Sequence, residues 1–262
     1  MNQHDIFFLS DVHLGVPVPG FEQREEHFCS FLRSLATRAT HLFLGGDIFD
    51  FWIEYPRLIR ADYFPVLHEL GLLVDAGVEV HYLAGNHDFA LGPFLRDTVG
   101  VVIHDAPFEL VLQGKRVYMV HGDGLLKGDV GYVVLRALLR NRVNQSLYKL
   151  LHPSAGIALA AALSGLSRIL HHRARPPWVA RHYRDAARRI LASGPDSVVM
   201  GHTHIPELFC GNGKTYCNTG EWLRGFSYAK MSAGELSLLR HVPGGEDEPL
   251  ERHSWNSGKS AS

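Results

Sequence analysis

The sequence predicts an α+β fold, on three observations. Short apolar, β-rich runs are each closed by a polar cluster and alternate with amphipathic helical patterns through the N-terminal half, as βαβ units do. Farther on, Gly211-Asn212-Gly213-Lys214 separates short apolar runs in the manner of an antiparallel hairpin. Between these regions a long basic stretch interrupts the alternation, which reads as an insertion.

Taken in order, the first strand is Ile6-Leu9, ending in Ser10-Asp11-Val12-His13. A helix follows over Glu22 to Thr37, with Phe28, Phe31, Leu32 and Leu35 on one face. The strand His41-Leu44 ends in Gly45-Gly46-Asp47, and a helix over Tyr63 to Ala76 shows Phe64, Leu67, Leu70 and Val74. Val78-Leu83 ends in Ala84-Gly85-Asn86-His87-Asp88, Arg116-Val120 in His121-Gly122-Asp123, and Ser197-Met200 in Gly201-His202-Thr203-His204. Runs of this length, bounded by Gly and polar residues, are buried strands. Val130 to Leu151 is amphipathic, with Val133, Val134, Leu138, Leu147 and Leu151 apolar, and Ala155 to Leu170 is small and apolar until His171-His172-Arg173-Ala174-Arg175-Pro176-Pro177 ends it. The expected organisation is a core over 1–123 and 191–242, a basic, apolar helical cap over 124–190, and a flexible tail over 243–262.

The 262 residues, 46% hydrophobic and 20% charged, exclude wholesale disorder, collagen, coiled coil and a multi-span membrane protein. Three cysteines make no disulfide framework. The first residues lack a basic region and a long apolar core, and no run reaches the ~20 apolar residues of a membrane span, so a cytoplasmic location is expected. The net charge of -1 hides an asymmetry: Val130 to Ile190 holds eleven Lys and Arg against Asp185 alone, +10, and leaves -11 elsewhere. Such a segment points to an anionic partner: nucleic acid, an anionic membrane surface or a phosphorylated substrate. An apolar helix among arginines suits the boundary between oil and headgroups, and lacks the aromatic interleaving of a single-strand groove.

The polar clusters carry the chemistry. All follow strands, and ligands of open α/β sheets bind beyond the strands' carboxyl ends. Five such ends would gather Asp11, His13, Asp47, Asn86, His121, His202 and His204. Seven ligands exceed one tetrahedral ion and suit two ions sharing a carboxylate. Mixed oxygen and imidazole donors favour Mn, Fe, Zn or Co. Each cluster alone is weak; the ordered set is specific.

That set, Asp11-Val12-His13, Gly46-Asp47, Gly85-Asn86-His87-Asp88, His121 and Gly201-His202-Thr203-His204, resembles the calcineurin-like metallophosphoesterase superfamily. The resemblance covers about 6 to 240 and implies a four-layer α/β/β/α sandwich. It implies one metal held by Asp11, His13, Asp47 and His204, and another by Asp47, Asn86, His121 and His202. His87 is placed to donate a proton to the leaving group or steady phosphoryl oxygens, with Asp88 and Asp123 orienting ligand imidazoles.

Asp47-Ile48-Phe49-Asp50-Phe51-Trp52, His121-Gly122-Asp123, Asp129-Val130-Gly131-Tyr132 and the following cap narrow the match. Together they resemble the family of UDP-2,3-diacylglucosamine hydrolases, peripheral membrane enzymes of lipid A biosynthesis whose caps hold acyl chains. That implies release of UMP and 2,3-diacylglucosamine 1-phosphate, two divalent ions with Mn foremost, and a site at the inner face of an anionic membrane, with no obligate protein partner and nucleic acid disfavoured. Asn86, His87, Asp129, Tyr132 and His202 match positions that meet substrate. One departure stands out: those hydrolases carry Arg after the metal-binding Asn, where this chain has His87. Action on another phosphodiester or nucleotide pyrophosphate is the alternative.

Overall fold

The computed structural model describes residues 5–55, 57–126, 137–160 and 177–254. Strand β1 (Asp5–Leu9) runs parallel to β2 (Ala39–Leu44), which is parallel to β3 (Glu79–Leu83), and β3 to β4 (Val102–His104). On the other side of β1 lie antiparallel β10 (Ser227–Ser232), β11 (Glu235–Arg240) and β12 (Glu248–Ser254). The resulting seven-stranded order is β12-β11-β10-β1-β2-β3-β4. A five-stranded sheet has the order β5-β6-β7-β9-β8, from β5 (Phe108–Leu112), β6 (Lys115–Met119), β7 (Ser197–Met200), β8 (Glu207–Gly211) and β9 (Lys214–Asn218).

The two sheets face one another. Along β1, Ile6 and Phe8 point into the core between the sheets, with Phe43, Leu83, Met119, Val199 and Met231. Phe7 and Leu9 point the other way, into a core shared with helices α1 (Arg24–Leu35) and α2 (Phe64–Asp75). Burial on both faces explains why β1 is an unbroken apolar run rather than an alternating one. Phe28, Phe31, Leu32 and Leu35 of α1 are fully buried, and Trp222 lies against Phe28 and Phe31 at ring separations of 5.3 and 4.8 Å. The five-stranded sheet is covered by α4 (Pro177–Ala192), whose Val179, Tyr183, Ala187 and Leu191 pack on Val198, Met200 and Tyr216. The layers are therefore α/β/β/α.

Several expectations need correction. Phe64 does not join the buried face of α2; it is 66% exposed and stacks on His68, while Val66, Leu67, Leu70 and Leu73 are buried. It is the helix's first residue, and the next turn already turns inward. The predicted cap reaches too far along the chain: α4 belongs to the outer layer of the core, because its apolar residues recur at helical spacing on the sheet side. Part of the basic charge is consequently engaged within the molecule, Arg184 pairing with Glu207 at 2.9 Å and Arg188 lying over the Phe209 ring. The tail is not wholly frayed, since β12 pairs with β11 and Leu250 packs against the inter-sheet core.

The rest of the predicted cap includes helical segments over 137–140 and 153–160 and helix α3 (Arg142–Tyr148). The Asn141 side chain caps α3 by accepting from the Val143 and Asn144 N–H groups. Leu138, Leu147 and Leu151, expected on an apolar face, project outward at 54%, 58% and 41% exposure. Val133 and Val134 lie outside the described residues.

A candidate dinuclear metal centre

The five polar clusters follow β1, β2, β3, β6 and β7, and meet at the strands' carboxyl ends. Ligand atoms of Asp11, His13 and His204 lie within 4.8 Å of one another, as do those of Asp47, His121 and His202. Asp47 Oδ2 stands between the two groups, 3.8 Å from His13 Nε2 and 3.4 Å from His121 Nε2. His204 Nε2 lies 3.2 Å from Asp11 Oδ1. Asn86 Oδ1 lies 3.0 Å from His121 Nε2 and 2.9 Å from His202 Nδ1. All seven residues singled out as ligands are thus brought together.

Their fit to cations rests on two further observations. His13 Nε2 is buried without a hydrogen-bond partner, and Asp11 Oδ1 is buried with only the His204 imidazole nearby, so a bound ion would complete both. The neighbouring imidazoles hold both carboxylates ionised despite burial: Asp47 lies well below the usual carboxylate range, chiefly through His121, and Asp11 lies below it through His204. Two buried negative charges and incompletely partnered oxygen and nitrogen donors form a cation site.

Local backbone geometry is specialised to aim these groups. Asp11, His13, Asp47, His202 and His204 all have φ between 47° and 66°, a left-handed conformation that costs non-glycine residues energy. Hydrogen bonds hold them there. The His202 N–H donates to Asp11 Oδ2 at 2.8 Å, and the Asn86 and His87 N–H groups donate to Asp47 Oδ1 at 2.8 and 2.9 Å. The loops touch through glycine: a Cβ at Gly46 would stand 2.7 Å from the Gly85 Cα, and one at Gly85 would stand 2.5 Å from the Asp47 nitrogen.

The hydrogen bonds of Asp88, expected to orient an imidazole, go to backbone and a tyrosine, while Asp123 acts on the His121 imidazole electrostatically. Asp88 is fully buried and accepts from the N–H groups of Asp47, Ile48 and Gly85 and from the Tyr82 hydroxyl, so it ties two ligand loops together. His121 is oriented by the Gly45 carbonyl, to which its Nδ1 donates at 2.8 Å, while Asp123 lies 3.7 Å from the Arg140 guanidinium. His87 stands edge-on to His13, their ring centroids 4.8 Å apart. Its Nδ1 donates to the Asp50 carbonyl at 3.0 Å, with the Asp50 carboxylate at 3.4 Å. Burial opposes the imidazolium, but Asp47 and Asp50 outweigh it and push His87 up to about 9. In the sequence Asp50 stands only within the Asp47–Trp52 motif, and its place three residues after Asp47 is the signal for its role. Asp129 and Tyr132 lie outside the described residues.

The Calcineurin-like phosphoesterase family model matches residues 4–206. A UDP-2,3-diacylglucosamine hydrolase of Porphyromonas gingivalis is 28% identical over 251 residues, covering 89% of this chain and 96% of that protein. One of Nitrosococcus oceani is 31% identical over 228 residues, covering 84% and 88%. Among solved structures, vacuolar protein sorting 29 of Cryptosporidium parvum aligns with a TM-score of 0.48 and 13% identity, covering 97% of this chain and 100% of that one.

Proposed function

Because this chain belongs to the calcineurin-like phosphoesterase family, hydrolases of phosphorus-containing bonds, we propose that it cleaves the pyrophosphate of UDP-2,3-diacylglucosamine. The products are UMP and 2,3-diacylglucosamine 1-phosphate. The observation that carries this substrate is an apolar cavity of about 200 Å³ whose lining begins with the residue after Asp50. Its walls include Phe51, Trp52 and Tyr55 from the loop after Asp50, and Pro153 and Ile157 from the segment over 153–160. Each methylene of an acyl chain buried there contributes about 0.8 kcal/mol.

Asp11, His13, Asp47 and His204 would hold one divalent ion, and Asp47, Asn86, His121 and His202 the other; the mixed oxygen and imidazole donors suit Mn, Fe, Zn or Co, with Mn²⁺ the ion the resemblance implies. When bound, the ions make water a nucleophile at neutral pH and neutralise charge on the phosphoryl group. With Nδ1 committed to Asp50, His87 has Nε2 left to protonate the leaving oxygen. Asp50 keeps that ring in place, and Asp88 keeps the Asp47 and Asn86 loops at fixed separation.

The segments over 137–160 form a cap that docks on the inner, anionic face of a cytoplasmic membrane. Val143, Leu147 and Leu150 are 66%, 58% and 81% exposed there, beside Arg140 and Lys149. Among the described residues no helix is long and apolar enough to cross a membrane.

Incubation with Mn²⁺ and UDP-2,3-diacylglucosamine, with products weighed by mass spectrometry, tests the proposal. UMP with the lipid monophosphate is expected. An intact lipid alongside cleavage of generic phosphodiesters or nucleotide pyrophosphates selects the alternative, which His87 in place of arginine favours.

A further inference from the structure

Arg140 closes the helical segment over 137–140, at the corner before α3. The corner is fixed by side chains of the following helix: Asn144 Nδ2 donates to the Leu138 carbonyl at 2.8 Å, and Gln145 Nε2 to the Leu139 carbonyl at 3.2 Å. Leu138 and Leu139 face outward, whereas the Arg140 side chain runs back into the core and is 24% exposed. There its guanidinium donates to the Gly85 carbonyl at 3.0 Å and to the Asp105 carbonyl at 3.4 Å, with the Asp123 carboxylate at 3.7 Å.

The Gly85 carbonyl belongs to the same peptide group as the Asn86 N–H. That N–H donates to Asp47 Oδ1, and the Asn86 side chain faces His121 and His202. A cation on the oxygen of a peptide strengthens the donor at its nitrogen, because hydrogen bonds in series polarise one another. The chain Arg140, peptide 85–86, Asp47 therefore runs from the cap to the carboxylate between the two ligand groups. Asp123 lies two residues beyond His121, so the same guanidinium reaches two of the four loops that would serve the second ion, those of Asn86 and His121.

We propose that Arg140 is a positioning residue: it joins the cap to the metal-binding loops and sets the affinity for the ion held by Asp47, Asn86, His121 and His202. This rests on the ligand assignment made above, and does not depend on the identity of the lipid. The fork geometry matters, since three oxygens of different segments are reached by one planar group.

Calorimetric titration with Mn²⁺ alone tests it, comparing wild type with Arg140→Met and Arg140→Lys. In Arg140→Met one of the two Mn²⁺ affinities should fall about tenfold or more while the other holds, the usual effect of removing a partner that orients the ligands of one site. With bis(p-nitrophenyl) phosphate, a soluble diester that makes no use of the cap, kcat should fall while KM stays near that of wild type. Arg140→Lys, which keeps the charge and loses the fork, should fall between the two. Wild-type affinity for both ions in folded Arg140→Met overturns the proposal. Should Arg140→Met fail to fold, Arg140→Lys decides: a weakened second ion supports the proposal, and wild-type constants overturn it. A wild-type protein that takes up two Mn²⁺ yet leaves UDP-2,3-diacylglucosamine intact defeats the substrate reading and leaves the Arg140 comparison standing.

Discussion

Asp47 commits its two carboxylate oxygens differently. Oδ1 is consumed by the Asn86 and His87 N–H groups, and Oδ2 is left between His13 and His121. Asp47→Ala should therefore lose at least one metal ion and nearly all hydrolysis, checked by metal analysis of the purified variant; full activity would dismiss the shared-ligand assignment. His87 is tied to Asp50 rather than to the Asn86 side chain, although its ring also lies within ligand distance of His13 and Asp47. His87→Ala should slow turnover by about 10²- to 10⁴-fold with both ions retained, and a collapse of metal content would make His87 a ligand instead. The candidate ligands were legible because each imidazole or carboxylate closely follows a buried strand. Asp50, Arg140 and the true partners of Asp88 were not, because their roles are set by contacts between segments far apart in the chain. Arg140 was further hidden among eleven cations of one segment.

The strand-end loops are the elements on which the centre depends, and their backbones touch. Gly85→Ala would press a methyl group into the Asp47 backbone, so it should lower both the melting temperature and the metal content, whereas a surface substitution such as Val111→Thr should change neither. At the β4 edge of the seven-stranded sheet, His81 and His104 pair at 2.9 Å within a stack that includes Phe43 and Phe108. Burial drives the His81 imidazole down to about 4 and lowers His104 as well, so the folded state holds both neutral where the unfolded chain would bind protons. Their contribution is complete above about pH 6.5 and is lost as pH falls toward 4. The urea midpoint should drop between pH 7 and pH 5, with a smaller drop in His81→Phe; an equal drop in both would clear this pair. The helix faces show where periodicity suffices. All four residues chosen on α1 are buried, because a mid-helix stripe has one possible destination, while Phe64 misled because a helix's first residue is not bound by that geometry.

At the scale of the molecule, β1, β3 and β7 are runs buried on both faces, which is why the α+β class was readable. The extent of the cap was not, since charge on α4 masks a stripe that packs on the sheet, and β12 escaped notice because an edge strand needs few apolar residues. The outward leucines and basic residues of 137–160 predict recovery with anionic vesicles that weakens with salt and with Leu147→Ser/Leu150→Ser; equal recovery on neutral vesicles at any salt would refute the electrostatic half. The origin of the ligands has a mechanical consequence. Each cluster takes residues from both sheets, Asp11 and His13 meeting His204, and Asp47 meeting His121 and His202. Bound ions would thus rivet one rim of the sandwich. Occupied at a thousandfold over its Kd, one such rivet adds about 4 kcal/mol against unfolding. Chelation should let that rim gape first, lowering the melting temperature and exposing the loops around Asp11, Asp47 and His202 to proteases before either hydrophobic layer gives way.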